Sequence, residues 1–193
     1  MKRQVAFERN TKETQIKGNL LIDGKGIAKI DTGIGFLDHM LELFSFHSSI
    51  DLNLKCKGDL KVCAHHSIED IAISLGSAFN KALGERVGIT RYATCYLPMD
   101  ETLTRTSIDI SGRPYHVFIG GFSNQQVGIL PTEMIKHFFY SFCMEAKLTL
   151  HQEIMYGEND HHKSESLFKG FAKCLAKSVV IESDKIPSTK GQL

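Results

Sequence analysis

The chain has 193 residues, 42% of them apolar, which fits one or two domains with a full core. Its 23 basic and 22 acidic residues leave a formal charge of +1, so it has no basic field of the kind that draws a protein to nucleic acid. No apolar run approaches the roughly 18 residues of a membrane span, so no membrane partner is expected.

Met1-Lys2-Arg3-Gln4 leads straight into alternating sequence with no apolar signal region, and a cytoplasmic protein is expected. The five cysteines, at 56, 63, 95, 143 and 174, are odd in number and lack CxxC spacing. They read as reduced, mostly buried thiols rather than a disulfide frame.

Residues 2–9 and 14–22 have β character and are split by Asn10-Thr11-Lys12, which predicts a hairpin; Glu13 begins its second strand. After the turn at Asp23-Gly24-Lys25-Gly26, Gly33-Ile34-Gly35 leads into Phe36, Leu37, Met40, Leu41, Leu43 and Phe44 at helical spacing. His39 and His47 lie on roughly one side of that helix. Asp51 to Cys56 alternates as a half-buried strand. Leu60 to Cys63 reads as a further short strand, and a long amphipathic stretch ends near Gly88.

The plan then repeats. Arg91–Pro98 and Thr102–Ile110 predict a hairpin around Met99-Asp100-Glu101, and residues 118–130 predict a loop or extended edge. Pro131-Thr132-Glu133 opens a helix that carries Met134, Ile135, Phe138, Phe139, Phe142 and His137. Leu148 to Ile154 reads as a strand, a second long amphipathic helix follows, and the tail from Ile186 to Gly191 is loop-like.

Both long helices open on the same string, His65-His66-Ser67-Ile68-Glu69 and His161-His162-Lys163-Ser164-Glu165. Successive helical residues turn by about 100°, so the two His of a pair point apart while the Glu lies near both. One pair alone would be a polar helix start. Two copies, each with a matching Glu and a matching apolar pattern behind it, point to metal ligation by two ions, each taking one imidazole of a pair.

His39 to His65 is 26 positions and His137 to His161 is 24, so an internal duplication is the economical explanation. The expected fold is α+β, with two β-β-α-β-β-α halves, 1–88 and 89–193 including the tail, forming one compact unit. Its helices would pack together between two outer sheets.

The ligand candidates are His39, His65, His66, Glu69, His137, His161, His162 and Glu165. Two octahedral ions need more than eight donors, which leaves positions for water and substrate. Mixed N and O ligation suits Mn, Fe, Co, Ni or Zn. A dimetal phosphohydrolase would need a water bridging two close ions, which the divergence of adjacent His side chains opposes. A metal store or sensor would not need basic residues to converge. The basic residues are Arg91, Arg113, Lys169 and Lys190, with Lys169 one turn beyond Glu165; spacing alone does not bring them together.

The strings Gly35-Phe36-Leu37-Asp38-His39-Met40-Leu41, His65-His66-Ser67-Ile68-Glu69-Asp70, Asp109-Ile110-Ser111-Gly112-Arg113-Pro114-Tyr115 and Glu158-Asn159-Asp160-His161-His162 resemble the imidazoleglycerol-phosphate dehydratases of histidine biosynthesis. The helix around His137 and the Pro-Ser-Thr-Lys-Gly tail extend the resemblance over nearly the whole chain. It implies a ribosomal protein S5 domain 2-like fold and a lyase using two Mn2+ per chain, other divalent transition metals being possible. That lyase would convert imidazole glycerol phosphate to imidazole acetol phosphate. A homo-oligomer of 24 subunits with sites between subunits is also implied. By position, Glu13, His47, Arg91, Arg113, Lys169, Ser188 and Lys190 match family substrate contacts, and Glu13 is the implied acid–base residue. The chain departs from the family at Cys63-Ala64, where many members carry acidic residues, which removes a carboxylate that would orient a ligand.

Overall fold

The computed structural model describes residues 2–193. The first half runs β1 (Gln4–Asn10), β2 (Thr14–Leu21), β3 (Ala28–Asp31), α1 (Gly35–Ser48), β4 (Asp51–Gly58) and α2 (His65–Leu83). The second runs β5 (Tyr92–Met99), β6 (Thr102–Asp109), β7 (Tyr115–Ile119), a small hairpin of β8 (Gln126–Val127) and β9 (Leu130–Pro131), α3 (Glu133–Ala146), β10 (Thr149–Tyr156) and α4 (Asp160–Ser178). The two four-stranded sheets have the same strand order, β1-β2-β4-β3 and β5-β6-β10-β7. Corresponding helices match in length, 14 residues for α1 and α3 and 19 for α2 and α4. Even the helix ends agree: Ser49 after α1 and Lys147 after α3 both take left-handed backbone, at φ 60 and 54.

The α+β class, the duplication and the helical layer between two sheets hold, but the order of elements within each half needs correction. Apart from the small β8–β9 hairpin, each half reads β-β-β-α-β-α, because the third strand precedes the first helix. β3 spans only four residues and pairs parallel with β4, Ala28 opposite Leu52 and Asp31 opposite Lys55. β7 likewise pairs parallel with β10, from Tyr115 opposite Thr149 to Ile119 opposite Glu153. A strand this short has too little alternation to announce itself; its neighbour supplies the ladder. Leu60 to Cys63 is not a strand. The Val62 N–H donates to Asp59 O at 2.7 Å, which closes a turn and leaves the Val62 side chain 70% exposed.

Helix α2 lies on β1 and β2, α1 on β3, α4 on β5 and β6, and α3 on β7. The extensive helix–helix packing then runs between the halves, α2 against α3 and α1 against α4. At its centre Phe139 is fully buried, with ring centroids 4.7 Å from Phe168 and 5.3 Å from Phe171. Phe44 of α1 reaches the same group through Phe171 at 5.8 Å, and Phe79 of α2 through Phe142 at 5.9 Å. Four helices thus share one aromatic cluster. Gly76 lets α2 and α3 close on it, since a Cβ there would stand 2.4 Å from the Phe142 carbonyl oxygen.

The cysteines are free; Cys56, Cys143 and Cys174 are buried, Cys95 is partly buried and Cys63 exposed. Burial pushes the Cys174 thiol up to about 12 and that of Cys56 up to about 11. No helix among the described residues is long and apolar enough to cross a membrane.

Replacing Phe139 by Ala should cost about 3–5 kcal/mol, because the cavity opens where all four helices meet. Urea unfolding followed by circular dichroism measures this; a loss below about 1 kcal/mol would mean that the cluster does not hold the halves together.

Candidate active site

The paired histidines stand on the first turns of α2 and α4. Asn159 starts α4 there: its side-chain oxygen accepts the His161 N–H at 2.9 Å and the His162 N–H at 3.4 Å, a side-chain cap on the helix's free amides. Neighbouring rings diverge, with planes 76° apart for His65 and His66 and 89° apart for His161 and His162. One member of each pair turns inward to the facing helix, and the other turns away.

The inward members build two trios. Glu69 Oε1 lies 2.9 Å from His137 Nε2, and Glu69 Oε2 lies 3.7 Å from His65 Nε2. Glu165 Oε1 lies 2.9 Å from both His39 Nε2 and His161 Nε2. Each trio draws on both halves: His137 comes to α2 because α3 packs there, and His39 comes to α4 because α1 does. Within each, two imidazole nitrogens and a carboxylate oxygen fall within 4.8 Å of one another. That spacing and the mixed N,O set fit one divalent transition ion per trio, with coordination positions to spare. Three donors per trio, not four, come from a single chain.

His66 and His162 join neither trio. His66 Nδ1 is 3.0 Å from Asp59 Oδ2, and its Nε2 is 3.7 Å from Glu13 Oε1. His162 Nδ1 is 2.6 Å from Glu101 Oε2, and its Nε2 is 3.6 Å from Asp100 Oδ2. The carboxylate beside each Nδ1, Asp59 or Glu101, raises the imidazole's affinity for a proton. Neither Asp59 nor Glu101 was read from sequence as a partner of the paired histidines. Glu101 was discoverable, because it stands just before β6 as Glu13 stands just before β2. Asp59 had no such signal; an acid in a turn reads as solvated. It supplies the carboxylate that Cys63-Ala64 had left in question.

Glu13 and Glu101 occupy corresponding corners but differ in commitment. Glu101 accepts from the Asn159 N–H at 2.8 Å, from His162, and from the Glu158 N–H at 3.1 Å, which hold it far below the usual carboxylate range. Glu13 is half exposed, and among the described residues its carboxylate faces only His66, at 3.7 Å.

The remaining candidates fall at two places. Lys169 donates to Glu165 Oε2 and lies 3.6 Å from Met99 Sδ. Burial raises the Glu165 carboxyl, but hydrogen bonds from Lys169, His39 and His161 outweigh it and hold the group at about 2. His47 is nearby on α1; burial, then the charges of Lys173 and Lys169, lower its proton affinity.

Arg91, Arg113, Ser188 and Lys190 belong to the other end of the molecule. Arg91 binds Asp109 at 2.7 Å and the Pro187 carbonyl at 2.7 Å, and its N–H donates to Ser178 O, at the C-terminus of α4. Arg113 lies 3.9 Å from the same Asp109. Ser188 Oγ accepts the Lys190 N–H at 3.2 Å in the tail that Arg91 anchors. From Glu165 to Ser178 the helix rises about 20 Å, at roughly 1.5 Å per residue. No small phosphate ester can touch this basic group and the Glu165 trio of the same chain.

The sequence profile described as imidazoleglycerol-phosphate dehydratase matches residues 32–175. The chain is 56% identical to the imidazoleglycerol-phosphate dehydratase of Clostridium botulinum (strain Alaska E43 / Type E3), over 97% of this chain and 96% of that one. It is 55% identical to that of Clostridioides difficile (strain 630), over 96% and 97%. Among solved structures, the dehydratase from Staphylococcus aureus subsp. aureus N315 superposes with a TM-score of 0.84 at 38% identity, covering 92% of this chain and 99% of that one. The Pyrococcus furiosus enzyme in complex with (S)-C348 superposes with a TM-score of 0.84 at 33% identity, over 97% and 100%. The chain therefore belongs to the imidazoleglycerol-phosphate dehydratase family, hydro-lyases of histidine biosynthesis.

Proposed function

We propose that this chain is a cytoplasmic enzyme that dehydrates imidazole glycerol phosphate to imidazole acetol phosphate with two Mn2+ per chain, and that its sites lie between subunits of a 24-subunit homo-oligomer. Other divalent transition metals would fit the same donors. The observation that carries the reading is the pair of donor trios, each assembled from both halves of the chain. His65, Glu69 and His137 would hold one ion; His39, His161 and Glu165 would hold the other. His66 and His162 keep Nδ1 on a carboxylate and turn Nε2 away from the trios, toward Glu13 and Asp100. In an assembly each would complete an ion held by a neighbour, which gives all eight candidates a ligand role.

The roughly 20 Å between the Glu165 trio and the Arg91 group supports the same assembly. A substrate whose imidazole ring sits at one chain's trio would have its phosphate held by another subunit's Arg91, Arg113, Ser188 and Lys190, with Lys169 and His47 lining the approach. Charge-assisted contacts from several such groups would fix the phosphate and so orient the reacting carbons.

When bound, the metal ions supply Lewis acidity to the imidazole ring and make its N–H easier to lose. The chain's own part is to move protons. Loss of water requires one proton to leave the substrate carbon and another to reach the departing hydroxyl, and the enol that forms tautomerises to the ketone. Glu13 is suited to this work because its carboxylate is exposed and uncommitted. Glu101 is not suited, since three donors keep it ionised.

Glu13→Gln should lower kcat by about 10²–10⁴-fold with near-normal KM and metal content, because the amide keeps the shape and cannot carry a proton. Wild-type turnover by this variant would move the acid–base role to another group. Metal binding that draws on two subunits also adds its free energy to assembly. Chelation should therefore shift the particle to smaller species, and Mn2+ should restore it, as read by size-exclusion chromatography with light scattering. A stripped particle of unchanged size would mean that the interfaces suffice without metal.

A further inference from the structure

The two trios have the same donors but different surroundings. Lys169 donates to Glu165, the only carboxylate of its trio, on the oxygen that the two histidines leave free. His47 lies close enough to interact with both Lys169 and Glu165, so an ionisable imidazole adjoins this trio as well. The duplication puts different residues at the matching places of the other half. One turn beyond Glu69 stands Ile73, partly buried, where the second half has Lys169. On α3, at the position that matches His47, stands Glu145. Glu69 therefore carries no lysine at that site.

A cation entering the Glu165 trio meets a carboxylate already neutralised by an ammonium. At the intermediate permittivity of a half-buried site, one such charge weakens cation binding by roughly tenfold or more. Glu165 is also the more buried of the two carboxylates, with 8% of its side chain exposed against 36% for Glu69. The imidazoles that His66 and His162 would add are alike, so they do not offset the difference.

We infer that the two trios hold metal unequally: the trio of His65, Glu69 and His137 keeps its ion tightly, and the trio of His39, His161 and Glu165 holds a weaker, exchangeable ion because Lys169 occupies its carboxylate. This rests on the metal reading proposed above. An exchangeable ion beside Lys169 and His47 is the one whose coordination a substrate can enter most readily.

The test uses the Mn2+-loaded, assembled protein, exposed to graded EDTA, with free Mn2+ read by electron paramagnetic resonance and particle size by light scattering. Two equal release steps are expected, separated by at least about tenfold in free Mn2+. Lys169→Met should bring the steps together by tightening the first. Ile73→Lys should bring them together by loosening the second, so either variant decides if the other fails to assemble. A single release step in the wild type overturns the inference and leaves the metal reading intact, as do two steps that neither variant moves. A protein that binds no Mn2+ overturns the metal reading and this inference with it.

Discussion

The packing of helices across the duplication is the constraint on which the rest depends. Neither half brings three donors together alone. His65 and Glu69 meet His137 only because α2 packs on α3, and His161 and Glu165 meet His39 only because α1 packs on α4. What presses those pairs together is apolar: the phenylalanine cluster around Phe139, with Gly76 allowing the helices to close. Burial of this kind is non-directional, and the donors' geometry follows from where the helix ends then fall.

Duplication sets a symmetric frame, and single residues break the symmetry. Both hairpins carry a Glu at the same corner. Only in the second half is the link into the following helix short enough for its amides, those of Glu158 and Asn159, to capture that Glu, since 157–159 has three residues where 59–64 has six. The longer first link makes a turn that brings Asp59 to His66 and leaves Glu13 free. One corner thus fixes the His162 ring, and the other leaves its carboxylate half exposed. Lys169 and Ile73 divide the two trios in the same way. The chemistry proposed here resides in these differences; the shared plan provides the scaffold.

Much of this was legible in the sequence because helices announce themselves by the spacing of apolar residues. Phe168 and Phe171 after the second His pair, and Ile68, Ile71 and Leu75 after the first, mark buried faces and put both HHxxE strings on first turns. The eight ligand candidates and Lys169 followed from that periodicity. What was not legible depends on distant partners. β3 and β7 are strands only because β4 and β10 lie beside them. Leu60 to Cys63 alternates as a strand would, yet the Asp59–Val62 bond folds it into a turn. That six of eight candidates form trios while His66 and His162 face away, and that Arg91 lies at the far end of α4 from Glu165, are properties of packing which no spacing encodes.

If the trios hold metal as proposed, each site is the product of two helices from different halves of the chain. A crystal structure of the Mn2+-loaded protein, with anomalous difference maps collected on either side of the manganese absorption edge, tests it most directly. Two manganese peaks per chain are expected, one within coordination distance of His65, Glu69 and His137 and one within coordination distance of His39, His161 and Glu165. A single peak, or peaks ligated by residues of one half only, would contradict it.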